Sequence, residues 1–234
     1  MAAFQDLSVA VTGGTGALGT AVCAALLEAG ARVHVPCFAS EELQAFPLAG
    51  RAGLEVQEGV DLRSEEQVVA WYEALPPLWA SIHCAGGFAM APLAETTASS
   101  WRHLMQMNAD TCFLCSREAV RNLRRSGRGG RIVNIAARPA LEPRTGAGMA
   151  AYTASKAAVA ALTEALGEEL AGEGILVTAV APSILDTPAN RRAMPDADHE
   201  TWPKLEEVAR VILFLASPEN RVVRSGLVPV YGAC

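Results

Sequence analysis

Tyr152 and Lys156 stand four residues apart in Tyr152-Thr153-Ala154-Ser155-Lys156, inside an alanine-rich stretch with helical patterning from Tyr152 to Ala171. On a helix that spacing puts both side chains on one face. A phenol titrates near pH ~10 and is a poor proton-transfer group at neutral pH. An ammonium beside it favours the phenolate and pulls the pKa down, as general acid–base chemistry at neutral pH requires. A solvated Tyr–Lys pair has the same spacing, so the pair gains meaning from what accompanies it.

A second set is Thr12-Gly13-Gly14-Thr15-Gly16-Ala17-Leu18-Gly19. Glycines spaced this way allow a tight turn and let the backbone approach a pyrophosphate, which rests on the free N–H groups opening the next helix. A glycine-rich turn without a ligand reads the same in isolation. Position gives this one weight. It follows a short apolar strand, Leu7–Val11, and opens an Ala/Leu helix that stops at Gly30, a residue suited to the position after a helix C-cap.

The elements that must hold these residues alternate. Further strands are predicted at Arg32–Cys37, Leu54–Val56, Trp79–Cys84, Arg131–Ile135, Ile175–Val180 and Leu227–Val230. Between them come a short helix capped by Ser40, with Glu41 and Glu42 in its first turn, and a helix to Leu75 opened by Ser64 and Gln67 at capping-box spacing. A long helix over about Ser99–Arg125, the Tyr152–Ala171 helix and an amphipathic Leu205–Ala216 helix complete the set. The alternation predicts an α/β Rossmann fold in a single domain, residues 1–234: a doubly wound parallel sheet of about seven strands with helices on both faces.

Composition narrows the partners. At 51% hydrophobic and 19% charged residues, a chain of 234 residues can bury a full core. A net charge of −6 argues against nucleic acid. The cationic run Arg121–Arg131, broken by Gly127, Gly129 and Gly130, reads as a solvated helix end and turn. No apolar stretch has the length of a membrane span, and Met1–Leu7 lacks the pattern of a signal peptide, so the expected location is the cytoplasm. Cys23, Cys37, Cys84, Cys112, Cys115 and Cys234 fit neither a disulfide framework nor a zinc site. The Cys112/Cys115 pair reads as two small apolar residues on a helix, and no metal is expected.

Taken in order, these motifs resemble the short-chain dehydrogenase/reductase family over nearly the whole chain. The family carries T-G-x-x-x-G-x-G at the loop, and Ala17 stands where its middle glycine usually is. The resemblance implies a nicotinamide dinucleotide held by Gly13, Thr15, Gly16, Ala17, Leu18 and Gly19 at the pyrophosphate, and by Asp61 and Leu62 at the adenine. It further implies contacts from Cys84, Ala85 and Gly86, since His83-Cys84-Ala85-Gly86 stands in place of N-N-A-G, and from Pro182, Ile184 and Thr187 at the nicotinamide amide. Tyr152 and Lys156 become catalytic residues, with Lys156 also on the ribose hydroxyls. Asn108 becomes the residue that kinks the long helix and holds a water in the proton relay. Within the family, Ala85-Gly86-Gly87-Phe88 and Leu185–Arg191 are similar to the quinonoid dihydropteridine reductases, whereas the surroundings of Asn108 are more similar to general reductases.

Two positions depart from the family pattern. At the end of the second strand an acid binds the ribose of NAD(H) and a base accommodates the phosphate of NADP(H). Cys37 and Phe38 are neither, so the cofactor is NADP(H) or NAD(H), with a lean to NADP(H) because no acid repels the phosphate. After the fifth strand the family usually places a serine that hydrogen-bonds the substrate oxygen. Here Ile135 is followed by Ala136, Ala137 and Arg138, and the loop onward to Tyr152 is about two residues longer than usual. Losing one such donor typically costs several kcal/mol in the barrier. Either the acceptor is easily reduced, as in the pteridine enzymes, or a donor comes from Ser183, Thr145 or Arg138.

Phe88, Ala137, Arg138 and Trp202 lie where the strand ends should form the substrate mouth. Phe88 and Trp202 can flank a planar ring or simply pack. Arg138, Arg144, Arg191 and Arg192 can meet an anionic or heteroaromatic substrate or simply be solvated. The expected function is reduction of an activated C=N or C=O bond in a small, pterin-like or quinonoid molecule by an NAD(P)H-dependent oxidoreductase. Alternatives are a 3-oxoacyl thioester or ketone reductase, an alcohol dehydrogenase, and a cofactor-binding regulatory protein with little catalysis. The resemblance also implies a homodimer or homotetramer built through the two long helices.

Overall fold

The alternating strands close into one sheet. In the computed structural model, residues 3–234 are described; Met1 and Ala2, part of the N-terminal stretch considered above, lie outside them. Strands β1 (Ser8–Thr12), β2 (Arg32–Pro36), β3 (Leu54–Gln57), β4 (Ala80–His83), β5 (Gly130–Ile135), β6 (Ile175–Pro182) and β7 (Gly226–Val230) run in the order β3-β2-β1-β4-β5-β6-β7. Each adjacent pair is parallel. Parallel neighbours require a crossover between them, and the apolar strands require cover on both faces.

Helices α1 (Ala17–Glu28), α2 (Ser40–Ala45), α3 (Glu65–Ala74), α4 (Ala98–Met105), α5 (Thr111–Ser126), α6 (Arg138–Leu141), α7 (Ala150–Glu169), α8 (Pro188–Ala193) and α9 (Leu205–Ala216) supply the crossovers and the cover. The two-residue period of the strands divides the core. Val9, Val11, Ile82, Val133 and Val180 pack against Val22 and Leu26 of α1 and Ile212 and Leu215 of α9. Ala10, Ile132 and Val177 face the other way, against Trp71 of α3 and Ala119 and Leu123 of α5. Cys112 and Cys115 are free, buried thiols on α5.

The strand order turns back beside β1, where Thr12 pairs with His83 of β4. A doubly wound sheet opens its binding crevice at this reversal, outside the carboxyl ends of the strands. The glycine loop leaves β1 and the Cys84–Phe88 segment leaves β4 on the same edge of that crevice.

Local differences from expectation have local causes. Ala39, extended at φ −116 and ψ 143, takes the N-cap position of α2, so Ser40 is already helical. Ser64 caps α3 by accepting from Gln67 N, but the Gln67 side chain accepts from Asp61 N, so the reciprocal half of the box is redirected to the adenine-side turn. The predicted single long helix is interrupted by a π-turn over Gln106–Asp110, where Thr111 N reaches back to Gln106 O. Arg131 is no solvated end of the basic run: it lies buried in β5, stacked 5.0 Å over Trp79 and donating to the Gly130 and Asn220 carbonyls. The short α6 and α8 lack the length for a periodic signal. No helix among the described residues is long and apolar enough to cross a membrane.

Candidate active site

Gly13 turns with φ +66, and a Cβ there would stand 2.5 Å from Ala85 N, so the loop lies directly against the segment leaving β4. Thr15, Gly16, Ala17, Leu18 and Gly19 carry the chain into α1. The N-cap of α1 is Gly16, no side chain caps it, and its first turn holds no acid. A twelve-residue helix therefore opens with unfilled N–H donors and the positive end of its dipole. That arrangement fits a pyrophosphate.

Beyond the loop, Cys37 is buried at the end of β2, and Phe38 is exposed beneath the Arg63 guanidinium, 5.6 Å from its ring centroid. Asp61 does not stand free for an adenine. Its carboxylate takes Arg63 Nε at 2.9 Å and Nη2 at 2.8 Å, which holds its pKa low. Leu62 packs on the core behind it. The fold also brings a residue that the sequence reading passed over as a first-turn helix acid. Glu42 accepts from Thr15 Oγ1 at 2.9 Å and lies 3.7 Å from Cys37 Sγ.

The residues expected to be catalytic converge on α7, the π-turn and the end of β4. Asn108 is fully buried. Its Oδ1 accepts from Gly87 N at 3.0 Å, while its Nδ2 donates to Gly87 O at 2.9 Å and Ser155 Oγ at 3.1 Å. The side chain is therefore a clamp on the segment carrying Phe88, and the kink attributed to it takes the form of the π-turn. Gly86 leaves room for this clamp, since a Cβ there would lie 2.6 Å from Asn108 Oδ1. Ser155, inside the Tyr–Lys motif, is the partner that spacing alone did not single out.

Lys156 is buried and donates to Ile135 O at 2.8 Å; burial lowers its pKa to about 8. Tyr152 is raised to about 12, with burial as the cause. Burial here outweighs the depression expected from Lys156, whose ammonium donates to the β5 carbonyl. A phenol so placed keeps its proton at neutral pH, the form needed to donate to a reduced product. Phe88, 63% exposed, meets the Tyr152 ring edge-to-face at 4.9 Å between centroids.

His83, which stands in place of the family's first asparagine, turns away from the crevice. Its ring bonds Asn134 Oδ1 at 2.8 Å and Ser81 Oγ at 2.9 Å, and burial lowers its pKa to about 4, so it is neutral at pH 7. Cys84 and Ala85 follow it into the crevice wall. On the side where the resemblance puts the nicotinamide, Pro182 ends β6 and Ile184 is exposed. Thr187 caps α8 by accepting from Asn190 N at 3.1 Å, which leaves its hydroxyl proton free to donate.

Around the expected substrate mouth, several side chains are committed to contacts of their own. Ala136 packs among Val159, Ala179 and Ala181, so the position facing the mouth is Ala137, a buried methyl where a hydroxyl would serve. The suggested replacement hydroxyls are committed elsewhere, because Ser183 Oγ donates to Tyr231 O and Thr145 Oγ1 to Glu142 O, each at 2.8 Å. Arg138 is paired with Glu142 at 2.9 Å and stacked 4.8 Å from the Tyr231 ring, a residue with no sequence signal of its own. Trp202 is only 4% exposed and leans on His199 at 4.6 Å, so it packs and does not line the mouth. Arg191 is held by Asp186 at 2.6 Å.

Residues 8–198 match the family model described as short chain dehydrogenase. A short-chain type dehydrogenase/reductase from Picea abies is 32% identical, covering 95% of this chain and 90% of its own. Galactitol 2-dehydrogenase from Rhizobium johnstonii is 34% identical over 94% and 91%. The NADPH-bound structure of a Pseudomonas aeruginosa short chain oxidoreductase, described as containing an atypical catalytic center, superposes with a TM-score of 0.86 at 26% identity, covering 98% and 97%. These relatives do not carry the narrower likeness to the pteridine enzymes. The family model covers most of the chain and the relatives exceed 30% identity over nearly all of it, and on that ground the chain belongs to the short-chain dehydrogenase/reductase family and is an NAD(P)-dependent oxidoreductase.

Proposed function

We propose that the chain reduces an activated C=N or C=O bond in a planar, pterin-like or quinonoid acceptor. The observation that carries this reading is the methyl of Ala137 at the mouth, with Ser183 and Thr145 bonded elsewhere. The dinucleotide supplies the hydride. On this reading Lys156 holds its ribose, Thr187 holds its amide, and Tyr152 gives a proton to the acceptor. Phe88, next to the Asn108–Gly87 clamp, offers an aromatic wall against the Tyr152 ring. An ordinary ketone builds negative charge on oxygen as the hydride arrives, and Tyr152 meets that charge without a second side-chain donor. A quinonoid or iminium acceptor spreads or cancels the charge and loses less by the missing donor.

Ala137→Ser tests this. We expect kcat/KM for a simple ketone to rise about tenfold or more, and that for a quinonoid dihydropterin to move by no more than about threefold. If the wild type already reduces simple ketones faster than the quinonoid and the serine raises neither rate, the reading is wrong. A second reading, oxidation and reduction at a secondary alcohol, is favoured by the similarity to galactitol 2-dehydrogenase. The same acceptor pair separates the two.

A further inference from the structure

We propose that Glu42 selects the cofactor, admitting the ribose 2′-hydroxyl of NAD(H) and repelling the 2′-phosphate of NADP(H). The inference rests on the reading of the crevice as a dinucleotide site and adds to it a residue outside the family's loop and strand-end pattern. Residues 37 and 38 alone suggest a lean to NADP(H), since neither is an acid. The fold supplies the acid from the next helix. α2 begins at Ser40, a short turn past Pro36 at the end of β2, and its third residue reaches the glycine loop.

Two contacts fix where the Glu42 carboxylate lies. Thr15 Oγ1, in the phosphate loop, donates to Oε2 at 2.9 Å, and Cys37 Sγ, at the strand end, reaches the same oxygen at 3.7 Å. A group touching both must sit in the corner between the loop and the end of β2. A ribose joined to a pyrophosphate on that loop occupies the same corner. A carboxylate there accepts a hydrogen bond from a 2′-hydroxyl. A 2′-phosphate instead brings close to two negative charges against it.

The other charged groups do not reverse this. Arg63, the cation over Phe38, is bonded through Nε and Nη2 to Asp61, so its charge is already matched. Burial, and after it the acids Glu42 and Glu58, push the Cys37 thiol up, which keeps it neutral. The corner is acidic on balance.

The experiment is calorimetric titration of the whole protein with NADH and with NADPH, for wild type, Glu42→Gln and Glu42→Arg. Glu42 is exposed, so both variants should fold. We expect the wild type to bind NADH roughly ten- to a hundredfold more tightly than NADPH, as like charges in contact predict. Glu42→Gln should bring the two dissociation constants within about threefold, mainly by tightening NADPH, and Glu42→Arg should invert the order. NADPH binding as tight as NADH in the wild type, or a ratio untouched by Glu42→Gln, overturns the assignment of Glu42 alone. Failure of both cofactors to bind overturns the dinucleotide site itself and this inference with it.

Discussion

Tyr152→Phe should lower kcat about a thousandfold while leaving the dissociation constant of the dinucleotide within about threefold of wild type. The substitution removes one hydroxyl from a ring whose position is fixed by its helix and by the edge of Phe88, so the wall survives and the proton donor does not. Burial pushes the phenol up to about 12, and under the proposed function it serves as the acid in the reductive direction. Steady-state rates and cofactor titrations on one preparation separate the two effects. A variant retaining a tenth of the wild-type rate would mean that the proton comes from solvent or from the acceptor itself.

Lys156→Met should remove at least a hundredfold of the turnover and weaken dinucleotide binding, yet leave the cofactor-free protein no less stable than wild type at pH 7. The reason is the burial of the ammonium. Its pKa falls from 10.5 to about 8, a penalty of roughly 3 kcal/mol on the charged form. Below pH 8 both folded and unfolded chains hold the proton and the penalty is complete. Between pH 8 and 10.5 the unfolded chain alone holds it, so wild-type stability rises with pH through that window. Methionine removes the penalty but leaves Ile135 O without its partner, which costs about 1–3 kcal/mol, so the net change at pH 7 is small or stabilising. Urea unfolding at pH 7 and pH 10 checks both claims. The gain in stability with pH should be present in wild type and absent in the variant.

The same lysine bears on the pH profile of reduction. Tyr152 stays protonated well past the range in which Lys156 titrates, so activity should hold near neutrality and fall as pH rises through about 8. The falling limb belongs to loss of the ammonium and with it the grip on the ribose.

Much of this was legible in residue order. The alternation of strands with helices set a parallel sheet of about seven strands, and the glycine loop declared itself by lying between a strand and a helix. The Tyr152–Lys156 spacing needs only helical geometry to become one face. What stayed hidden depends on contacts between residues far apart in the chain. Glu42 resembles any first-turn helix acid until the fold sets it beside Thr15, twenty-seven residues earlier. Tyr231, near the end of the sequence, has no signal until Arg138 from mid-chain stacks on it. Trp202 reads equally well as mouth or core, and only the packing of the segment after α8 decides for the core. The π-turn at Asn108 inserts one residue into a pattern whose 3.6-residue period barely registers it.

The central claim is that this crevice transfers a hydride to an activated acceptor, with Tyr152 giving the proton. Mixing the protein, loaded with reduced cofactor, with a quinonoid dihydropterin and following cofactor oxidation through one turnover tests it most directly. The nicotinamide should be oxidised in a burst, slowed when its transferable hydrogen is deuterium and nearly abolished in Tyr152→Phe. No oxidation with quinonoid, imine or ketone acceptors would contradict the account and leave a dinucleotide-binding protein without turnover.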